Sequence, residues 1–436
     1  MNVEGPCPIL FVHHALSHPE VKWVRGPTRC LRDLLTHLDR QRFEPIVLCN
    51  EPAIAELEAT GVAVHRAPDW TASRGRFSPW WIREVARIVR QHRIRVIHVD
   101  EYMQNATVVP VARTLRVPLV TQLHRVPSAE ERRWALLHQT DHAVGVSQAS
   151  LDGLLADGFP RERTEVIYNP VDPRRLAIGD ATALRRQLGI GPRDIVVAMV
   201  AYLVPWKAID VALHAFRAVR ESRSDCHLIV CGDGPDRRSL EAQADSLGLR
   251  RVTHFLGDRS DVGAILRDAV DILISTSRRE SFNLTLAEAG VFGVPAVASD
   301  IPAHREVLDD GTAGWLVAPD DVRGFADALT ALAADPALRT SYGASLRRRV
   351  EGSFLVGEHV RAFETLYARL IARPPASSGW LRATTWPRLY TDWIRERLGA
   401  PLRVLRAVGP RRAARGESRS GEPVRAVPPA PGSPRA

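Results

Sequence analysis

Glu280-Ser281-Phe282-Asn283-Leu284-Thr285-Leu286-Ala287-Glu288-Ala289 is the stretch on which the reading of this chain turns. It follows the apolar run 272–275 and a short polar link, Ser277-Arg278-Arg279, and then takes a helical pattern over 282–289. A strand that enters a helix through a short link is the unit of a parallel α/β sheet. A helix starting at a strand's carboxyl end offers free backbone N–H groups and a positive dipole end, which suit a diphosphate. Glu280 precedes that helix, and Glu288 lies roughly two turns or ~12 Å further on if the helix is continuous. Carboxylates accept hydroxyl hydrogens in bonds worth about 1.5–3 kcal/mol. One glutamate could therefore hold a sugar and the other a ribose, on either side of a diphosphate. Taken alone, two glutamates at this spacing more often mean a helix cap and a surface ion pair.

Lys207 shifts that balance. With Lys22 it makes two lysines in 436 residues, against 57 arginines. It lies in Leu203-Val204-Pro205-Trp206-Lys207, after the apolar run 194–200. A merely solvated position would more often carry arginine in this chain. An ammonium at a strand's carboxyl end is placed to neutralise charge on a leaving diphosphate. Cys231-Gly232-Asp233-Gly234-Pro235 follows another apolar run, 227–230, as a tight turn at the same expected edge.

Working outward, short apolar runs alternate with helical patterns. Strands are expected at 9–12, 45–48, 96–99, 118–121, 143–146 and 165–168. The rhythm breaks at Asn169-Pro170-Val171-Asp172-Pro173, and a polar linker is expected through Gly191-Pro192. A second set follows at 194–200, 227–230, 252–256, 272–275 and 296–298. The fold class is α/β, with two doubly wound Rossmann-like domains facing across a cleft and a basic C-terminal extension. The expected boundaries are 1–172, 173–372 including the closing helix, and 373–436.

The net charge of +9 belongs to the extension. Residues 373–436 hold thirteen arginines against Asp392, Glu396, Glu417 and Glu422, so the first 372 residues are neutral. A basic face for nucleic acid is not expected on the folded part. The aromatic segment 380–406 either lies on an anionic membrane or packs back on the first domain, and the stretch from Gly409 has a disordered composition. Five cysteines without CxxC spacing suggest neither a zinc site nor a disulfide framework, so a reducing cytoplasm fits. No basic n-region followed by an apolar core opens the chain, and no apolar stretch is long enough to span a bilayer.

Together, E-S-F-N-L-T-L-A-E-A, L-V-P-W-K, G-D-G-P and Gly293-Val294-Pro295-Ala296-Val297-Ala298-Ser299-Asp300 resemble, in order and spacing, glycosyltransferase family 4. These are retaining enzymes of GT-B fold, and the resemblance covers about residues 8–372. It implies that Glu280 meets hydroxyls of a donor hexose, Glu288 the ribose and Lys207 the diphosphate, helped by the amides of Asn283 and Leu284. His124, in Val120-Thr121-Gln122-Leu123-His124, matches a histidine that reaches the donor sugar. Catalytic candidates are thus Lys207, Glu280 and His124. Donor-binding candidates are Glu288, Ser281, Phe282, Asn283, Leu284, Tyr202, Gly26 and Gly232.

Two positions depart from that pattern. Tyr202 stands where the family has an arginine on the diphosphate; Arg278, Arg279 or the Tyr202 hydroxyl are candidates to replace it. Arg25-Gly26-Pro27 keeps one glycine of an expected pair, with Lys22 and Arg25 in the same loop. The expected activity is retaining hexosyl transfer from a nucleoside-diphosphate sugar to a saccharide or lipid-linked acceptor, in cell-envelope polysaccharide or glycolipid synthesis. No cofactor and no metal are expected, since neither a D-x-D pattern nor histidines at metal spacing stand out. The alternative is a GT-B protein that binds sugar nucleotides without turning them over. A phosphorylase is disfavoured, because pyridoxal phosphate needs a lysine and only Lys22 and Lys207 are present.

Overall fold

The computed structural model describes residues 5–15, 25–68 and 79–372. Seven strands form the first sheet: β1 (Cys7–Val12), β2 (Phe43–Cys49), β3 (Ala63–Arg66), β4 (Val96–Val99), β5 (Leu119–Leu123), β6 (His142–Gly145) and β7 (Thr164–Val166). Six form the second: β8 (Ile195–Val200), β9 (Cys226–Cys231), β10 (Thr253–Gly257), β11 (Ile272–Ser275), β12 (Ala296–Ser299) and β13 (Trp315–Val317). The orders are β3-β2-β1-β4-β5-β6-β7 and β10-β9-β8-β11-β12-β13, with every ladder parallel. Central strands such as β4 and β11 are buried at every residue, which is why they read as mainly apolar runs without alternation.

Two strands escaped the sequence. β3, Ala-Val-His-Arg, is half exposed at one sheet edge, and β13 has three residues. Neither offers the long apolar run by which the buried strands were read. The expected linker is also more ordered than its polarity suggested. Short helices Pro173–Leu176 and Leu184–Gln187 lie within it. Leu176, Leu184 and Ile190 enter the core of the second sheet, and Gly263 lets the backbone of Leu176 approach closely: a Cβ there would stand 2.2 Å from the Leu176 carbonyl oxygen.

In each sheet the chain winds outward in both directions from a central pair, β1/β4 and β8/β11. Loops leaving the carboxyl ends of such a pair turn to opposite faces and open a crevice, the usual ligand position in doubly wound sheets. The two halves are joined near 171 and 355, where Val171 N–H donates to the Phe354 carbonyl at 2.8 Å and Val356 N–H to the Val171 carbonyl at 3.0 Å. Tyr168, Phe282 and Phe354 form an aromatic cluster beside this crossing.

The helix Val356–Ala372, expected with the second domain, instead packs on the first sheet. Val360, Phe363, Leu366, Tyr367 and Leu370 bury their side chains among Ile9, Phe11, Phe43 and Val47. Its apolar stripe at i, i+3, i+4 spacing meets a face of the first sheet, so the chain crosses back before the described part ends. Among the described residues no helix is long and apolar enough to cross a membrane. The expectations for residues 373–436, for Lys22 and for the Arg25 side chain lie outside what the structure describes.

Candidate functional site

Lys207 closes a single 3-10 turn, Pro205–Lys207, after β8. Ala208 follows in a left-handed conformation (φ 52°), and the Thr276 hydroxyl, at the end of β11, donates to the Ala208 carbonyl at 2.7 Å. Arg278 N–H donates to the Trp206 carbonyl at 2.8 Å. The loops after the two central strands are thus stitched together. The Lys207 ammonium makes an ion pair with Glu280, and the Ser277 hydroxyl donates to the same carboxylate at 2.9 Å. Both charged side chains stay partly open to solvent, at 21% and 12% exposure.

The helix begins later than expected. It runs over Leu284–Val291, with Asn283 as its left-handed cap (φ 75°). Residues 280–283 are therefore a loop, and the two-turn separation of the glutamates does not hold. The Asn283 amide donates to the Ser275 hydroxyl and to His304 Nε2, both at 2.9 Å. His304 Nδ1 lies 2.9 Å from the Ser299 carbonyl, which can only accept, so Nδ1 carries the hydrogen and Nε2 is free to accept. Burial pushes the His304 pKa down to about 4, which keeps this ring neutral.

Glu288 is buried on the inner face of that helix, not on the surface. Burial raises its pKa, opposed by Arg29 and Arg175, whose Nη2 lies 3.9 Å from the carboxylate. Arg175 also faces Asp33 of the helix Arg25–His37 at 3.5 Å. Gly26 lies in the first turn of that same helix, and a Cβ there would be 3.8 Å from Leu284 Cδ1. The N-terminal turns of two helices, one from each sheet, thus come into near contact.

Other expected residues take different places. Phe282 is 2% exposed, with its ring in the aromatic cluster, so only its backbone is left to meet a ligand. Gly232 has φ 132°, and a Cβ there would stand 1.9 Å from the Ala201 carbonyl. It lets the β9 turn lie against the loop that carries Tyr202. Ser281 and Tyr202 are half-buried in the loops beside Glu280 and Lys207. Arg278 is bound to Asp320 at 2.8 Å and to the Pro205 carbonyl at 2.7 Å, and Arg279 lies over the Trp206 ring.

His124 belongs to a second cluster, at the β1/β4 switch point and the adjoining end of β5. His124 Nε2 lies 3.4 Å from Asp100 Oδ1, His13 Nδ1 2.6 Å from Asp100 Oδ2, and His13 Nε2 2.9 Å from the Thr28 hydroxyl. Burial would raise the Asp100 pKa, but His124 and His13 outweigh it and hold the carboxyl well below its usual range. Burial would lower the His124 pKa, but Asp100 and then Glu101 outweigh it, against Arg125, and the net direction is upward. Sequence reasoning missed His13, Asp100, Ser277 and His304. The first three carried a signal, being polar residues just after apolar runs at 9–12, 96–99 and 272–275. His304 and Asn283 meet only through tertiary folding. Among the described residues no group of three His, Cys, Asp or Glu side chains has metal-holding geometry.

Comparison with known proteins bears on this geometry. Residues 24–175 match the family model Glycosyltransferase Family 4, and residues 180–349 match Glycosyl transferases group 1. The chain is 25% identical over 295 residues to N-acetyl-alpha-D-glucosaminyl L-malate synthase of Bacillus anthracis, covering 65% of this chain and 77% of that protein. It is 37% identical over 194 residues to phosphatidyl-myo-inositol mannosyltransferase of Mycobacterium leprae, covering 43% of this chain and 51%, about half, of that protein. HepE of Anabaena, crystallised with UDP, superposes with a TM-score of 0.71 at 23% identity, over 83% of this chain and 100% of that one. The two matched segments are glycosyltransferase domains, and their paired sheets form the GT-B fold.

The His124–Asp100 pair sets a pH dependence of stability. The folded pKa of His124 is raised, so its contribution is complete below the unfolded value of about 6.5 and is lost as pH rises through the folded value. His124→Gln should therefore cost about 1–3 kcal/mol near pH ~6 and clearly less near pH ~9. Urea denaturation of both proteins at the two pH values reads this directly; an equal cost at both would contradict it.

Proposed function

We propose that this chain is a retaining glycosyltransferase that moves a hexosyl unit from a nucleoside-diphosphate sugar to an acceptor hydroxyl. The observation that carries the reading is the Lys207–Glu280 pair at the β8/β11 switch point, beside a helix N-terminus that lies close to a second one. In the reaction, the bond from the anomeric carbon to the diphosphate breaks while the acceptor oxygen attacks from the same face. The acceptor's proton passes to the departing phosphate oxygen, so no separate strong base is required. Lys207 and the amides of Asn283 and Leu284 hold the charge that builds on the diphosphate. Glu280 turns from Lys207 to the sugar hydroxyls, Glu288 takes the ribose, and His124 stands at the sugar's other side.

HepE has been crystallised with UDP and with UDP-glucose, which makes a uridine nucleotide sugar the first donor to test. For the acceptor we favour a saccharide or lipid-linked hydroxyl of cell-envelope polysaccharide or glycolipid, as the mannosyltransferase relative suggests. The reading places the protein in the cytoplasm, with the basic segment 373–436 resting on the anionic inner face of the membrane. A second reading, donor binding without efficient turnover, is favoured by one observation. Arg278 is occupied by Asp320 and Arg279 by Trp206, so neither stands ready to replace the arginine that Tyr202 displaces.

Release of nucleoside diphosphate from UDP-sugars with saccharide acceptors separates the two readings. Lys207→Ala should lower kcat by about 10²–10³ with the donor still bound; unchanged turnover would remove Lys207 from the mechanism. Proton NMR of the first-formed product should show the donor's anomeric configuration, and the opposite anomer would end the retaining assignment. Lys207 supplies the positive charge that a metal would otherwise bring, so EDTA should leave the rate within about twofold. A rate abolished by EDTA and restored by a divalent ion would show that the charge comes from elsewhere.

A further inference from the structure

We propose that His13 and Thr28 are positioning residues for His124, joining the first turn of the helix Arg25–His37 to the sugar side of the site. The catalytic consequence rests on the function proposed above; the link itself does not.

The geometry is a buried line of four side chains. Thr28 is fully buried, His13 is 1% exposed, Asp100 1% and His124 7%. An ionised carboxylate accepts only, so His13 Nδ1 donates to Asp100 at 2.6 Å. The second ring nitrogen, Nε2, meets the Thr28 hydroxyl at 2.9 Å, and a hydroxyl can either donate to it or accept from it. Asp100 Oδ1 then takes the Nε2 hydrogen of His124 at 3.4 Å. No buried donor or acceptor of the line faces another of its own kind. Both ring nitrogens of His13 are partnered, and the partners lie on two different elements. Thr28 is two residues from Gly26, which packs close to the Leu284 side chain of the second sheet's helix. A ligand that draws that turn toward an anion therefore moves the far end of the same line.

The surroundings of His124 fix the direction of its response. Asp100 and Glu101 follow β4, His98 lies in β4, Arg125 adjoins His124, and His359 comes from the helix Val356–Ala372. Asp100 is the strongest favourable partner. His13 shares its charge, so removing the His13 donor leaves more of that charge on His124, whose pKa must rise.

Two variants separate the links. Asn reaches the Nδ1 position and keeps the donor to Asp100; Gln reaches the Nε2 position and keeps Thr28 alone. His124 is followed by proton–carbon NMR of ring-labelled full-length protein, assigned through His124→Gln. His13→Gln should raise the His124 pKa by at least about half a unit, and His13→Asn should leave it near wild type. In turnover, His13→Gln should lower kcat roughly tenfold, with donor KM within about twofold. Its pH–rate limb should move upward with the NMR value, and His13→Asn should recover most of the rate. Thr28→Val should lower kcat without moving the His124 pKa. An unmoved pKa in a folded His13→Gln protein overturns the proposal, as does an equal loss in both His13 variants. If neither His13 variant folds, an unchanged kcat in Thr28→Val overturns it. Should no sugar nucleotide be turned over, the NMR titration still decides the link, and only the function reading fails.

Discussion

Both sheets are parallel throughout, and each reverses its winding direction at one pair of strands. That constraint places everything else. A parallel strand must return through a helix, so the carboxyl ends of all strands in a sheet share one edge. At the reversal the flanking helices leave on opposite faces, and a crevice opens without any residue being spent to make it. In the second sheet the reversal is β8/β11, and the loops after these strands carry Lys207 and Glu280. In the first it is β1/β4, and the residues just beyond are His13 and Asp100. The two charged clusters are thus consequences of strand order, one on each side of the cleft.

Charge in such a crevice is costly unless compensated, and the chain compensates it unevenly. Asp100 is fully enclosed and held by two histidines. Glu288 is also enclosed, and Arg175 Nη2 stands 3.9 Å from its carboxylate, outside hydrogen-bond reach. Its pKa rises, where that of Asp100 falls. A buried carboxylate whose charge burial disfavours is stabilised by anything that brings hydroxyl hydrogens to it. The two carboxylates therefore differ in kind. One is held as an anion by two histidines and orients a neighbour, while burial disfavours the charge of the other, where the proposed ribose would sit.

The sequence carried the architecture because buried parallel strands are apolar on both faces and short helical returns leave a regular rhythm. β4, Val96–Val99, and β11, Ile272–Ser275, could be read almost to the residue. β3 and β13 could not, being half exposed or very short. Composition misled in the linker, where Leu176 and Leu184 were hidden among arginines. In the site, Lys207 and Glu280 were legible because each follows a strand end. Phe282 was misplaced because a motif gives position along the chain but not the direction of a side chain; the ring turned to Tyr168 and Phe354. The Asn283–His304 contact joins residues 21 apart, the cap of one helix and a member of another, and no periodicity announces it.

The Lys207–Glu280 pair explains how the proposed diphosphate site stays stable when empty. An ammonium and a carboxylate held in a crevice would each repel a mismatched neighbour if left alone. Paired, and with Ser277 donating to the carboxylate, they neutralise one another at modest net cost. A ligand with phosphate at one end and hydroxyls at the other can split the pair without leaving either charge bare: phosphate replaces the carboxylate around Lys207, and hydroxyls replace the ammonium around Glu280. A bare diphosphate satisfies only the first, and a free sugar only the second. For the proposed site, discrimination in favour of the intact sugar nucleotide then follows from the pairing itself, because each fragment alone must break the ion pair and leave one partly buried partner unmatched.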